Sequence, residues 1–215
     1  RVVFGKLKKE NKCDFDPNLW SRELHSSGSL SSSQQLLGPN GLSPNPHNLH
    51  LLSRVTVVVD AIEELEDMSS SSSQSIRNTF DLVAVQVSSQ QTFQAACERN
   101  DIDLITLDCS QRLRFHLNKK MIAAAHSRGV RFEVCYAGAT QDPTSRRHLF
   151  TIARTLSGLV GGHSFVLSSG ASDTMHTRGP FDVSNLASLL GLGRAGSQEA
   201  HDTVSRIPLE VVSSA

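Results

Sequence analysis

Short, nearly continuous apolar runs rich in β-branched residues, alternating with amphipathic stretches, constrain this chain more than any other feature. The runs are Val55–Val59, Leu82–Val87, Leu104–Leu107, Phe132–Tyr136 and Phe165–Leu167. Each has the length of a strand, and continuous rather than alternating apolar character is what strands buried on both faces show. Between them, Gln90–Arg99 puts Phe93, Ala96 and Cys97 on one helical face, and Asn118–Arg128 does the same with Met121, Ile122 and Ala125. Thr144–Leu156 carries Leu149, Ile152, Ala153 and Leu156 at helical spacing. Asp182 reads as the N-cap of a helix through Leu190, ended by Gly191. This rhythm predicts an α/β fold with a parallel sheet. A closed eight-unit barrel takes about 250 residues. With Val2–Phe4 as a sixth strand, the 215-residue chain fits a TIM-barrel-like fold incomplete at its N-terminus, or an open sheet.

The rest of the chain divides around that core. Residues 1–53 hold a partial barrel segment and a flexible loop, in which a Ser-rich patch is followed by Gly38-Pro39-Asn40-Gly41 and Ser43-Pro44-Asn45-Pro46. The barrel-like core spans 54–192, interrupted by a Ser69–Ser73 loop, and 193–215 is a helical extension and tail. No apolar run approaches the roughly 20 residues of a membrane span, and no secretory pattern opens the chain. The start at Arg1 rather than Met fits a fragment. Cys13, Cys97, Cys109 and Cys135 form no Cys-x-x-Cys pair and read as buried thiols of a reducing compartment.

Acids and bases balance at 21 each, but unevenly along the chain. Asp60 to Asp108 carries a net −8, and Cys109 to Ser172 a net +7. Either the two blocks neutralise each other across helix pairs, or the second gives a neutral chain a basic face for phosphate backbones. Arg146 and Arg147 open a predicted helix, where the macrodipole favours acids over bases. Paired guanidinium groups in that position suit phosphate. Arg112, Arg114, Lys119 and Lys120 belong to the same block. One Trp and one Tyr leave little for base stacking, so contact is expected with backbone and shape.

Other signals are weaker. Gly191-Leu-Gly193-Arg-Ala-Gly196 matches a dinucleotide fingerprint in letters only, because it follows a helix instead of a strand. Ser168–Ser172 follows a strand and is either an ordinary βα loop or a phosphate loop built from backbone N–H groups. His163 precedes the same strand and is expected at its opposite end, away from those serines. The nine histidines, His47 and His50 included, show no metal-ligand spacing. No metal and no cofactor are expected.

Several separated motifs carry a resemblance. Phe80-Asp-Leu-Val-Ala-Val-Gln86, Phe93-Gln-Ala-Ala-Cys97 and Asp101-Ile-Asp-Leu-Ile105 resemble the thirty-kilodalton, barrel-like protein subunit of ribonuclease P, shared in eukaryotes with ribonuclease MRP. The match continues through Arg114-Phe115, Lys119, Ile122, Arg128-Gly129, Phe132-Glu133, Tyr136 and Asp142-Pro-Thr-Ser-Arg146-Arg147. It ends in Ser168-Ser169, Gly170-Ala171, the stretch Arg178-Gly179-Pro180-Phe181-Asp182-Val183-Ser184-Asn185-Leu186 and Leu189-Leu190-Gly191-Leu192, with order and spacing kept over residues 50–192.

The resemblance implies a TIM-barrel-like α/β fold and a non-catalytic subunit that supports RNA-based removal of 5′ leaders from precursor tRNA. The implied partners are ribonuclease P RNA, MRP RNA, a small ferredoxin-like protein subunit and the other ribonuclease P protein subunits, and the implied location is the nucleus and nucleolus. Arg146, Arg147 and Arg178 would serve phosphate contact or subunit docking, with Arg112, Arg114, Lys119 and Lys120 behind them. Arg178 would otherwise anchor its turn to a carboxylate. Against the resemblance, the chain is expected to lack the family's first strand and the basic tail of some animal members. Two rival readings stand beside this one. One is a metal-dependent barrel phosphoesterase using Ser168–Ser172; the other is a protein-binding scaffold docking through the acidic Asp60–Asp108 half.

Overall fold

The computed structural model describes residues 3–7, 52–68, 76–160, 165–192 and 198–214. The Ser-rich loops, His47, His50, His163 and Gly193–Gly196 lie outside them. Six strands form one parallel sheet in sequential order: β1 (Val3–Leu7), β2 (Ser53–Val59), β3 (Leu82–Val87), β4 (Leu104–Leu107), β5 (Arg131–Cys135) and β6 (Phe165–Ser168). The helices are α1 (Ile62–Asp67), α2 (Gln90–Glu98), α3 (Lys119–Ser127), α4 (Ala137–Gln141), α5 (Pro143–Val160), α6 (Pro180–Leu189), α7 (Gln198–Asp202) and α8 (Arg206–Ser214). Sequential parallel order with intervening helices is the barrel-type winding anticipated from the strand rhythm.

Alternation along each strand sorts side chains onto two faces. Val83, Val85, Ile105, Leu107, Phe132, Val134, Phe165 and Leu167 face the helices and pack with Phe93, Ile122, Leu149, Ile152 and Leu156. The other face holds Leu82, Ala84, Leu104 and Val166, and α8 covers them with Ile207 and Val211. Both faces are therefore buried, which is why the strands read as unbroken apolar runs.

The sheet is rolled. On a flat sheet β2 and β5 are three steps of about 4.8 Å apart, roughly 14 Å in all. Yet Arg54 of β2 grips Glu133 of β5 with two hydrogen bonds of 2.5 Å across the inner face. Arg54 also donates to the Thr106 hydroxyl at 3.0 Å, and Thr106 donates to Glu133 at 2.7 Å. Only a concave sheet brings these side chains together.

Two boundaries differ from the sequence reading. α6 starts at Pro180 with Gly179 as its N-cap, so Asp182 lies in the first turn and is not the cap. The fixed φ of proline pre-organises the earlier start. β5 ends at Cys135, and Tyr136 caps the short α4, which the sequence reading left out. Gly191 ends α6 with φ of +80°, and Leu192 N donates back to the Ala187 carbonyl at 2.9 Å. The glycine match thus begins at a helix C-terminus, where a left-handed residue is needed.

Candidate nucleic-acid interface

The loops that follow β4, β5 and β6 emerge at the C-terminal end of the sheet, and the candidate cations ride on them. Arg112 and Arg114 lie in the loop from β4 to α3, Lys119 and Lys120 in the first turn of α3, Arg146 and Arg147 close to the start of α5, and Arg178 just before α6. All seven are exposed. Asn118 caps α3 by accepting from Lys120 N at 2.9 Å, and Asp142 receives Ser145 N at 2.7 Å at the start of α5. Those Ser145 bonds hold the Asp142 carboxyl below its ordinary range. Each cap fixes a helix start, so the cations on that turn are held on a rigid base.

The three loops are tied to one another. Ser145 Oγ donates to the Ser110 carbonyl at 3.2 Å, joining the α5 start to the β4–α3 loop. Arg146 Nε donates to the Ala139 carbonyl at 2.9 Å. Thr140 Oγ1 and His176 Nδ1 lie 3.1 Å apart, and Arg178 N donates to the Tyr136 hydroxyl at 3.0 Å. The loop after β6 is equally used: the Ser168 and Ser169 carbonyls accept from Tyr136 N and Ala137 N at 3.0 and 2.9 Å. Gly170 sits in the left-handed region, at φ of +57°, and a Cβ there would lie 2.7 Å from Cys135 Cβ.

Bonding separates the cations into two sets. Arg146 is anchored as described, and Arg178 bonds the Met175 and Thr177 carbonyls at 2.9 and 3.0 Å. Its turn is held by carbonyls, with no carboxylate partner among the described residues. The side chains of Arg112, Arg114, Lys119, Lys120 and Arg147 make no hydrogen bond or salt bridge with another described residue. The ion pairs among the described residues use other bases: Arg54, Arg77, Arg99, Arg131 and Arg206. Among the described residues these five cations therefore form no ion pair with the acidic block, although Arg112 and Arg114 line one groove with Asp60 and Asp108. Lys119 and Lys120 also sit at a helix N-terminus, where the dipole disfavours them.

Sequence reading missed three features. Arg54 and Glu133 are buried at 4% and 1% exposure, and the signal was a lone acid inside an otherwise apolar strand. Burial pushes the Glu133 carboxyl up, but the Arg54 bonds and charge, with the Thr106 and Ser168 hydroxyls, hold it below its ordinary range. Met175 and Phe181 flank Arg178 at 74% and 76% exposure, an apolar pair that nothing in the helical pattern marked. Phe115, in the β4–α3 loop, stacks on Phe93 with ring centroids 5.1 Å apart. Of the four thiols read as buried, Cys97 and Cys109 are buried, Cys135 is half-buried, and Cys13 lies outside the described residues. Burial pushes Cys97 and Cys109 up to about 12 and raises Cys135 as well, so they stay protonated and unreactive at neutral pH. Among the described residues no three His, Cys, Asp or Glu side chains come together as a metal-ligand set.

Comparison with known proteins agrees with this architecture. A chain in a cryo-EM structure of archaeal ribonuclease P with mature tRNA superimposes with a TM-score of 0.65, over 99% of this chain and 90% of that one, at 13% identity. That likeness is one of fold. The chain is 32% identical over 158 residues to mouse ribonuclease P protein subunit p30, covering 74% of this chain and 58% of the mouse protein. It is 34% identical over 148 residues to GAMETOPHYTE DEFECTIVE 1 of Arabidopsis thaliana, covering 69% of this chain and 25% of that protein. It is 30% identical over 144 residues to ribonuclease P/MRP protein subunit RPP1 of Saccharomyces cerevisiae, covering 67% and 47%. The chain thus spans between 25% and 58% of the length of these relatives. The family described as RNase P subunit p30 matches residues 7–215, and the chain belongs to that family.

Proposed function

We propose that this chain acts as a non-catalytic protein subunit of the ribonuclease P ribonucleoprotein, supporting RNA-based removal of 5′ leaders from precursor tRNA. Family membership supports the reading, and one observation carries it to the site. Arg112, Arg114, Lys119, Lys120 and Arg147 stand exposed at one end of the barrel with no protein partner among the described residues. Unpaired cations on capped, cross-linked loops are suited to phosphate groups at fixed spacing, and releasing counterions from that RNA drives the contact. The yeast relative's name covers both ribonuclease P and MRP, and MRP RNA is a second proposed partner.

Arg146 and Arg178 take a different part in the proposal. Their bonds to carbonyls make them supports of the loops. The exposed Met175 and Phe181 beside Arg178 offer the aromatic, methionine and arginine composition of a protein interface. That corner is assigned to a protein subunit, the small ferredoxin-like one. Nuclear and nucleolar residence follows from membership in such a particle.

The test is purification of the tagged protein from cells and sequencing of the bound RNA. Wild-type protein is expected to recover ribonuclease P and MRP RNA. The variant with all five unpaired cations replaced by Ala is expected to lose most of it while retaining protein subunits. Recovery of no structured RNA by the wild type overturns the reading.

A further inference from the structure

A groove of about 850 Å³ opens on the same face, between the C-terminal ends of β2, β3 and β4. It has a fixed apolar wall. Phe115, 8% exposed and stacked on Phe93, forms part of it, together with Val58 and Leu113. Asp60, Gln86, Arg112 and Arg114 also line the groove. None of these four side chains makes a hydrogen bond or salt bridge with another described residue. Their neighbours are occupied: Gln90 Oε1 accepts from His116 N at 2.9 Å, and Asp108 accepts from Ser110 and Gln111 at 2.6 and 3.0 Å.

An apolar wall, an unused carboxylate with an unused amide, and two unused guanidinium groups answer the three parts of a nucleotide. The wall offers apolar contact to the body of a base, the carboxylate and amide suit its edge, and the guanidinium groups its phosphate. We propose that this groove seats one unpaired nucleotide of the bound RNA. Its phosphate lies on Arg112 and Arg114 and its base edge on Asp60 and Gln86, with preference for amine-bearing bases over uracil. The proposal rests on the RNA-subunit reading above and goes beyond contact with backbone and shape alone. The preference follows from the chemistry of Asp60. A carboxylate only accepts, so it pairs with the exocyclic amine of cytosine, adenine or guanine. Uracil offers one N–H between two carbonyl oxygens, and a carboxylate repels those oxygens.

Fluorescently labelled hexamers of cytidine and of uridine, titrated into the full chain, test this. The cytidine hexamer is expected to bind about tenfold more tightly, the discrimination of one well-made base-edge contact. Asp60→Ala should erase the preference without weakening uridine binding. Arg112→Ala with Arg114→Ala should weaken both hexamers alike. Equal affinities in the wild type, no binding of either hexamer, or a preference that survives Asp60→Ala overturns the nucleotide seat and leaves the phosphate contacts standing. A hexamer preference in a protein that recovers no structured RNA from cells overturns the subunit reading and keeps the groove.

Discussion

Arg146 and Arg147 are neighbours in the chain and opposites in bonding. Arg146 spends its Nε on the Ala139 carbonyl, which ties α5 to α4. Arg147 spends nothing on the described protein, so its charge is open to a ligand. The two single alanine variants should therefore fail differently. Arg147→Ala should reduce the slope of log affinity against log salt by about one, the loss of one phosphate contact, with the melting temperature unchanged. Arg146→Ala should cost about 1 kcal/mol of stability, the usual net worth of one hydrogen bond and less than a buried bond from a charged group, because the Arg146 side chain is largely exposed. Its salt slope should change less than that of Arg147→Ala. Melting curves and a salt series on both variants check this, and the opposite pattern would make Arg146 the contact and Arg147 the support. The sequence placed both arginines at a helix start, where the dipole makes two bases anomalous. It held no sign of which one the fold uses, because that is decided by a carbonyl seven residues away in an element only five residues long.

At the scale of elements, the strands were legible and the ends of the helices were not. Runs such as Leu82–Val87 announce themselves because both faces are buried, but the same unbroken apolar character leaves the register of β3 on β2 to be read from the fold. α8 was harder to place. Its Ile207 and Val211 are fully apolar, but Pro208, Leu209 and Val212 around them blur the stripe, and only the fold shows that the helix fills the concave side of the sheet. Ile207 is 0% exposed and meets the inner faces of strands far away in sequence. Ile207→Ala should therefore cost about 2–5 kcal/mol, the range for a buried aliphatic truncated to Ala in a site that cannot collapse. Leu209→Ala on the same helix, 65% exposed, should cost well under 1 kcal/mol. Urea unfolding of the two variants makes the comparison, and equal losses would mean that α8 is not part of the core.

For the whole molecule, the open question is what keeps the sheet rolled, since the curvature carries the loops after β4, β5 and β6 toward a common face. The Arg54–Glu133 pair spans the inner face from β2 to β5, and Thr106 of β4 completes the bridge. A buried pair of this kind is strongly destabilising to break and nearly neutral to replace outright. Removing one partner strands a charge at about 3–5 kcal/mol, whereas packed apolar substitutes often do no harm. Glu133→Gln should thus lower stability sharply, and Arg54→Met with Glu133→Leu should recover most of the loss. The pair also sets a pH dependence. The folded protein holds Glu133 below its ordinary range, whereas the unfolded chain titrates near 4.3. The unfolded state then binds the proton more readily, so the contribution is complete above pH of about 4.3 and fades as pH falls toward the folded value. Stability measured by urea from neutral pH down through that window should decline in the wild type. In Arg54→Met with Glu133→Leu that component should be absent, because no proton is left to take up. A double variant that is as stable as the wild type at neutral pH, less steep in acid, and still able to hold RNA would show that the roll of the sheet comes from packing on both faces, with the ion pair as its pH-sensitive brace. A double variant that folds but loses RNA would show that the pair itself sets the spacing of the loops.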